Sequence, residues 1–131
     1  MSNKKILIVE DDADVRLGYQ VLLRVHHYDT FFAADGLAAL SEARKVQPDL
    51  ILLDLGLPAG DGFVVLERLK MNLQLAMTPV IVVSGRDHHT SEPRALKAGA
   101  RAFLQKPWDN KELLALMEEL LGGVTASAAG V

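Results

Sequence analysis

The chain has 131 residues, 50% of them hydrophobic and 24% charged, with a formal net charge of −3 and no cysteine. A chain of this length and balance forms one domain with a sizeable core. The mild acidity argues against direct nucleic-acid binding, which needs a basic patch. Without cysteine, disulfides, thiolate metal sites and thiol nucleophiles are excluded. No apolar run approaches the roughly 18 residues of a membrane span, and the first is too short for a signal peptide. We therefore expect a soluble, cytoplasmic protein with no membrane contact.

Short aliphatic runs alternate with amphipathic segments along the chain. Strands are predicted at residues 6–9, 29–34, 50–54, 79–84 and 102–105, and the first, third and fourth have the composition of strands buried in a parallel sheet. Five helices are predicted, one after each strand. Their predicted starts are Asp11 or Asp12, Asp35, about Asp61, Pro93 in a first turn, and a point shortly before Leu113. The second helix is predicted to end at Pro48, the third at about Asn72 and the fourth at Gly99.

This alternation predicts an α/β fold in which right-handed crossovers build a five-stranded parallel sheet with helices on both faces. Residues 122–131 are small and lack periodicity, so we expect a flexible tail or the start of a linker there. The domain itself is predicted to occupy residues 1–121.

Four of the five predicted strands end in polar residues: Glu10–Asp11, Asp54, Ser84 and Lys106. A parallel sheet brings its carboxyl ends to one edge, where ligands bind in open α/β sheets. Three carboxylates at one edge repel one another unless a cation lies between them, and oxygen ligands of this kind suit Mg²⁺. A lysine and a hydroxyl can bind phosphate oxygens. The set therefore fits transfer of a phosphoryl group to a carboxylate oxygen.

Other polar residues of the chain have simpler interpretations. Asp12 is predicted to be a helix N-cap rather than a ligand. His88 and His89 are interpreted as exposed loop residues, because no second cluster supports a transition-metal site there.

The sequence resembles the receiver domain of two-component response regulators over residues 4–121. The resemblance lies in the motifs at the strand ends, which are Ile8-Val9-Glu10-Asp11-Asp12, Asp54-Leu55-Gly56-Leu57-Pro58 with Asp61-Gly62, Ser84-Gly85, Ala98-Gly99-Ala100 and Lys106-Pro107. It implies a flavodoxin-like, doubly wound sheet with the strand order 2-1-3-4-5. It also implies a signalling module that catalyses no more than its own phosphorylation and dephosphorylation and is not otherwise an enzyme.

The resemblance also implies roles for individual residues. Asp54 would accept a phosphoryl group from a phosphohistidine on a sensor histidine kinase or a histidine phosphotransfer protein. Glu10, Asp11 and Asp54 would hold Mg²⁺ together with the backbone carbonyl of Gly56, and Lys106 would contact the phosphate.

Two residues are implied to transmit the signal. Ser84 would move toward the phosphoryl group, and Phe103 would change rotamer in response. The altered face, formed by the fourth helix, fifth strand and fifth helix, would bind an output domain or a downstream protein, and a homodimer is a further option. The Lys106–Pro107 bond is expected to be cis.

Three positions depart from the family pattern. Gly56 replaces a longer side chain, often Met or Asn, that borders the attacking water, so the lifetime of a phosphoryl group on Asp54 is an open question. Ser84 stands where Thr is commoner, and Trp108 stands where Phe is more usual.

Two alternative functions remain open at this level. A phosphohydrolase of the haloacid-dehalogenase type also forms an aspartyl phosphate, but it needs a second acid at the position that Gly56 occupies. A receiver that works by binding alone would not require the complete set of acids, serine and lysine.

Overall fold

The computed structural model describes residues 3–57, 62–85 and 87–122. Within this part of the chain, five strands alternate with five helices. The strands are β1 (Lys5–Val9), β2 (Asp29–Ala33), β3 (Leu50–Leu53), β4 (Val80–Ser84) and β5 (Ala102–Gln105). The helices are α1 (Ala13–Val25), α2 (Gly36–Val46), α3 (Gly62–Met71), α4 (His88–Lys97) and α5 (Asn110–Leu120). All strand pairs are parallel and the order is β2-β1-β3-β4-β5, which confirms the predicted flavodoxin-like architecture.

Successive residues of the central strands face opposite layers of helices. In β1, Leu7 and Val9 belong to a hydrophobic cluster shared with α2, α3 and α4, whereas Ile6 and Ile8 belong to a second cluster shared with α1 and α5. All the residues of β3 and β4 are buried because both faces of these strands are covered. The continuous aliphatic runs of the sequence follow from this double burial.

Hydrogen bonds continue the ladders one residue beyond the strands and align their carboxyl ends. The Glu10 N–H donates to the Ala33 carbonyl at 3.0 Å, and the Asp54 N–H donates to the Val9 carbonyl at 3.1 Å. At the other side of the sheet, the Lys106 N–H donates to the Ser84 carbonyl at 2.8 Å. The backbones of three predicted site residues are therefore fixed by the sheet itself.

Aspartate side chains begin most of the helices. Asp12 caps α1 by accepting from the Asp14 N–H at 2.8 Å and the Val15 N–H at 3.3 Å, which confirms its predicted role. Asp35 and Asp109 cap α2 and α5 in the same way. The predicted cap of α3, at Asp61, lies outside the described residues, as does the predicted tail from residue 123 onward.

The prediction for α4 was wrong at its start. The helix begins at His88, where the Asp87 carboxylate accepts from the His89 N–H at 2.9 Å, and Pro93 lies inside the helix rather than in its first turn. His88 and His89 are therefore helical and not loop residues. The start was missed because α4 has almost no apolar stripe: among its side chains whose burial is described, Ser91 and Ala95 are buried.

The remaining differences are small. The strands predicted to reach residues 34 and 54 end one residue earlier, and the strand predicted from residue 79 begins at Val80. In the described ranges, no helix is both long enough and apolar enough to cross a membrane.

Candidate functional site

Three carboxylates meet at the carboxyl edge of the sheet. Glu10 and Asp11 follow β1, Asp54 follows β3, and one oxygen from each lies within 4.8 Å of the other two. Glu10 and Asp54 are 3% and 9% exposed, whereas Asp11 is open to solvent. The structure therefore brings together the three acids predicted from the strand ends, two of them buried and one exposed.

Lys106 reaches into this cluster from the end of β5. Its Nζ donates to Glu10 Oε1 at 2.9 Å and to Asp54 Oδ2 at 3.3 Å. The side chain is 26% exposed, so these ion pairs are only partly screened by water. The Lys106–Pro107 peptide bond is cis, as expected.

The pKa values of Glu10 and Lys106 are both shifted, because these groups are partly buried and lie close to other charged groups. The pKa of Glu10 is raised, chiefly by burial and further by the charge of Asp54, although the hydrogen bond from Lys106 opposes the change. Burial alone would lower the pKa of Lys106, but the hydrogen bond to Glu10 and the charge of Asp54 outweigh it and raise this pKa. The ammonium therefore stays charged and offsets part of the acidic repulsion.

The donor set fits a magnesium ion. Three carboxylates whose oxygens converge from different strands are hard ligands, and the exposed side of Asp11 leaves room for the waters that Mg²⁺ keeps. Because three acids face two cations, Lys106 and Arg16, the site retains a negative charge that a divalent cation would offset. The Gly56 N–H donates to Asp54 Oδ1 at 3.0 Å. The role of the Gly56 carbonyl stays a prediction.

Ser84 and Phe103 lie at the adjoining end of the sheet. Ser84 is the last residue of β4, is 1% exposed, and pairs in register with Gln105. Phe103, on β5, is half-buried against the hydrophobic cluster that contains α3 and α4 residues. Ser84 and Phe103 therefore lie on β4 and β5, the two strands that follow β3 across the sheet.

Two residues of α1 belong to the site but were not predicted. The Arg16 guanidinium donates through Nη1 to the backbone carbonyls of Glu10 at 2.8 Å and Asp11 at 3.0 Å, and so holds the loop that presents both acids. The second residue is Tyr19, on the buried face of α1. Its pKa is raised by burial and also by the charges of Glu10 and Asp54.

The acidic triad and Lys106 lie at the carboxyl edge of a doubly wound sheet, which is the edge where such sheets bind their ligands. Residues 6–118 match the family model of the response regulator receiver domain. The chain therefore belongs to the response regulator receiver family.

Individual relatives agree with this assignment. The chain is 36% identical over 117 residues to the DNA-binding dual master transcriptional regulator RpaA of Synechocystis, a match that covers 89% of the chain and 48% of that protein. The chain thus spans about half the length of this relative.

Solved structures show the same fold. A response regulator from Chloroflexus aurantiacus superposes with a TM-score of 0.88 at 27% identity, covering 92% of this chain and 99% of that one. The receiver domain of a sensor histidine kinase from Pseudomonas aeruginosa superposes with a TM-score of 0.84 at 26% identity, covering 92% and 99%. That structure holds a magnesium ion coordinated in its active-site cleft.

Proposed function

We propose that this chain is a phosphorylation-dependent receiver whose acceptor is Asp54. The donor would be a phosphohistidine on a sensor histidine kinase or a histidine phosphotransfer protein. The observation that carries the proposal is the position of the Asp54 carboxylate, beside two further acids and 3.3 Å from the Lys106 ammonium. A purely structural carboxylate would not need a second buried acid and a lysine at the same edge.

The proposed reaction is an in-line displacement at phosphorus. An oxygen of Asp54 forms a bond to phosphorus, the bond from phosphorus to the imidazole nitrogen breaks, and the neutral imidazole leaves after taking a proton. Lys106, whose ammonium donates to Asp54, would neutralise charge on the transferred oxygens, and the Gly56 N–H, which donates to the other Asp54 oxygen, would orient the acceptor. Mg²⁺ held by Glu10, Asp11, Asp54 and the Gly56 carbonyl would supply electrostatic stabilisation of the same charge.

The response to phosphorylation is proposed to run through Ser84 and Phe103. Ser84 would donate to the new phosphoryl oxygens, and Phe103 would change rotamer as Ser84 moves. The altered face, made of α4, β5 and α5, would bind an output domain or a downstream protein in the cytoplasm, or a second copy of the chain. DNA binding, which the name of RpaA records for that protein, is not proposed for this domain, whose net charge is −3.

We further propose that the chain does not turn over phosphate esters as an enzyme. Hydrolases that use an aspartyl phosphate need an acid near the acceptor to protonate the leaving group and activate water. Gly56, which lies beside Asp54, has no side chain to do so. Steady multiple turnover of phosphate esters by the chain would contradict this part of the proposal.

Intact-mass spectrometry tests the acceptor directly. With Mg²⁺ and acetyl phosphate, the chain is expected to gain the mass of one phosphoryl group, and Asp54→Asn is expected to gain none. Asp12→Asn is the matched control, since Asp12 is an exposed helix cap and asparagine caps helices equally well. An adduct that persists in Asp54→Asn, or no adduct on the unmodified chain, would overturn the proposal.

A further inference from the structure

A stacked pair of aromatic rings joins α1 to the segment that follows β5. The centroids of Tyr19 and Trp108 lie 4.8 Å apart, and their planes differ by only 7°. Tyr19 is 3% exposed, and Trp108 is half-buried against the same hydrophobic cluster. Ring pairs at this separation attract one another beyond the burial of their area. The stack is therefore a specific contact between α1 and the β5–α5 connection.

The path of the chain links this contact to Lys106. Trp108 follows Lys106 with only Pro107 between them, and the proline ring restricts the backbone at that step. On the opposite side, the Lys106 N–H donates to the Ser84 carbonyl at 2.8 Å. The backbone of Lys106 is thus held by β4 through a hydrogen bond and by α1 through the ring of Trp108.

The other ring, Tyr19, is a buried residue in the second turn of α1. Helix α1 also begins directly after the loop that carries Glu10. The stack therefore joins the two segments whose side chains form the Lys106–Glu10 ion pair at 2.9 Å.

We propose that Tyr19 and Trp108 are a positioning pair for phosphoryl transfer at this site. Their stack closes the β5–α5 connection onto α1 and fixes the Lys106 ammonium between Glu10 and Asp54. The inference rests on the proposed role of Asp54 as acceptor. Both rings act through the lysine, and neither is a catalytic residue. A small displacement of the ammonium weakens its interaction with the transferred oxygens, and such misplacements cost about tenfold or more in rate.

Tyr28 provides a matched control for a purely structural role of the rings. It packs against the same hydrophobic cluster and is half-buried like Trp108. However, it directly precedes β2, at the amino edge of the sheet, whereas the acidic triad lies at the carboxyl edge. If the rings only filled the core, losing the ring of Tyr28 would slow the reaction as much as losing the ring of Trp108.

The kinetic test uses the full chain with Mg²⁺ and acetyl phosphate. Tyr19→Leu and Trp108→Leu are each expected to lower the rate constant of Asp54 phosphorylation at saturating donor about tenfold, and Trp108→Phe to restore most of it. The double leucine variant should be no slower than the slower single variant, because the rings act as one unit.

The control variant Tyr28→Leu should lower the melting temperature and leave the rate constant of Asp54 phosphorylation unchanged. The inference would be overturned if Tyr28→Leu slowed phosphorylation as much as Trp108→Leu does. It would also be overturned if the double variant were slowed by the product of the effects of Tyr19→Leu and Trp108→Leu.

A second measurement needs no phosphodonor. The NMR signal of the Lys106 ammonium, assigned by its absence in Lys106→Met, is expected in the unmodified chain and in Trp108→Phe and should vanish in Trp108→Leu. A signal that persists in Trp108→Leu would overturn the positioning role. If the unmodified chain is never phosphorylated, the proposed function fails, and the NMR comparison still decides whether the stack holds the lysine.

Discussion

Gly56 leaves open space on one side of the proposed acceptor. A Cβ atom at this position would lie 3.6 Å from Asp54 Oδ1, which is an ordinary van der Waals contact. The backbone of Gly56 is not among the left-handed residues of the described chain. A Cβ atom therefore fits beside Asp54 without strain, so the fold does not require glycine at position 56.

We expect Gly56→Met to lengthen the lifetime of the phosphoryl group on Asp54, because the side chain would exclude water from the phosphorus. The lifetime is measured as the loss of phosphoryl mass after acetyl phosphate has been removed. Gly18→Ala, at an exposed site of α1 where a Cβ meets nothing within 4 Å, is the control and should leave the lifetime unchanged. An unaltered lifetime in Gly56→Met would show that this side does not admit the attacking water.

Removing one charge from the acidic triad should stabilise the metal-free protein. Asparagine in place of Asp54 keeps the shape of the side chain and relieves its repulsion of Glu10, while Lys106 retains its 2.9 Å ion pair with Glu10. We expect Asp54→Asn to raise the melting temperature in EDTA by about 3 °C. Asp12→Asn, which removes a charge outside the triad, should not raise it. A lower melting temperature for Asp54→Asn would contradict the proposed repulsion between the carboxylates of Asp54 and Glu10.

At the scale of elements, α4 is a helix with weak stabilisation from backbone hydrogen bonding and from apolar packing. Pro93 has no N–H to donate within the helix, and the buried side chains of α4 are small. A further attachment is the Arg94 guanidinium, which lies 3.8 Å from the ring centroid of Phe63 on α3. A helix with these features opens more readily than its neighbours.

Pro93→Ala is therefore expected to strengthen α4. It restores one backbone donor and should raise the free energy of unfolding by about 1 kcal/mol. Amide hydrogen exchange followed by NMR should slow in α4 and stay unchanged in α2. Faster exchange in the variant would mean that the proline stabilises α4 by restricting the unfolded chain.

The elements that the sequence predicted well are those with local signals. Helices α1, α2 and α5 combine an aspartate cap with an apolar stripe, and β1, β3 and β4 each contain a continuous aliphatic run. In α4 the cap at Asp87 precedes a polar turn, so periodicity could not mark its start, and only packing against the sheet defines it.

At the scale of the whole molecule, the topology was predictable and the supporting contacts were not. Parallel strands with polar ends imply a shared edge, which was enough to bring Glu10, Asp54 and Lys106 together. The contacts of Arg16 and Tyr19 depend on how α1 turns against the β1–α1 loop and the β5–α5 connection. Helical periodicity says which face is buried but not which distant residue it meets.

The fold should also show a pH-dependent stability that traces to Glu10. Burial raises the pKa of folded Glu10, so the folded chain binds this proton more readily than the unfolded chain does. In EDTA, this contribution to the free energy of unfolding should grow as pH falls from neutral toward the ordinary value of 4.5 and should be complete below it. Urea denaturation at several pH values measures the free energy of unfolding. As pH falls over this range, the free energy of unfolding of the unmodified chain should increase relative to that of Glu10→Gln. If the difference in free energy of unfolding between the two proteins stayed constant, or decreased as pH falls, the raised pKa of Glu10 would be contradicted.

The ring stack also has a practical consequence. Trp108 is the one tryptophan of the sequence, and its indole lies flat against Tyr19, two residues after Lys106. Tryptophan emission from the unlabelled protein therefore arises at the β5–α5 connection. A kinase partner, a metal titration or a phosphodonor can be followed by this emission in real time, without a dye and without altering the surface that the partner contacts.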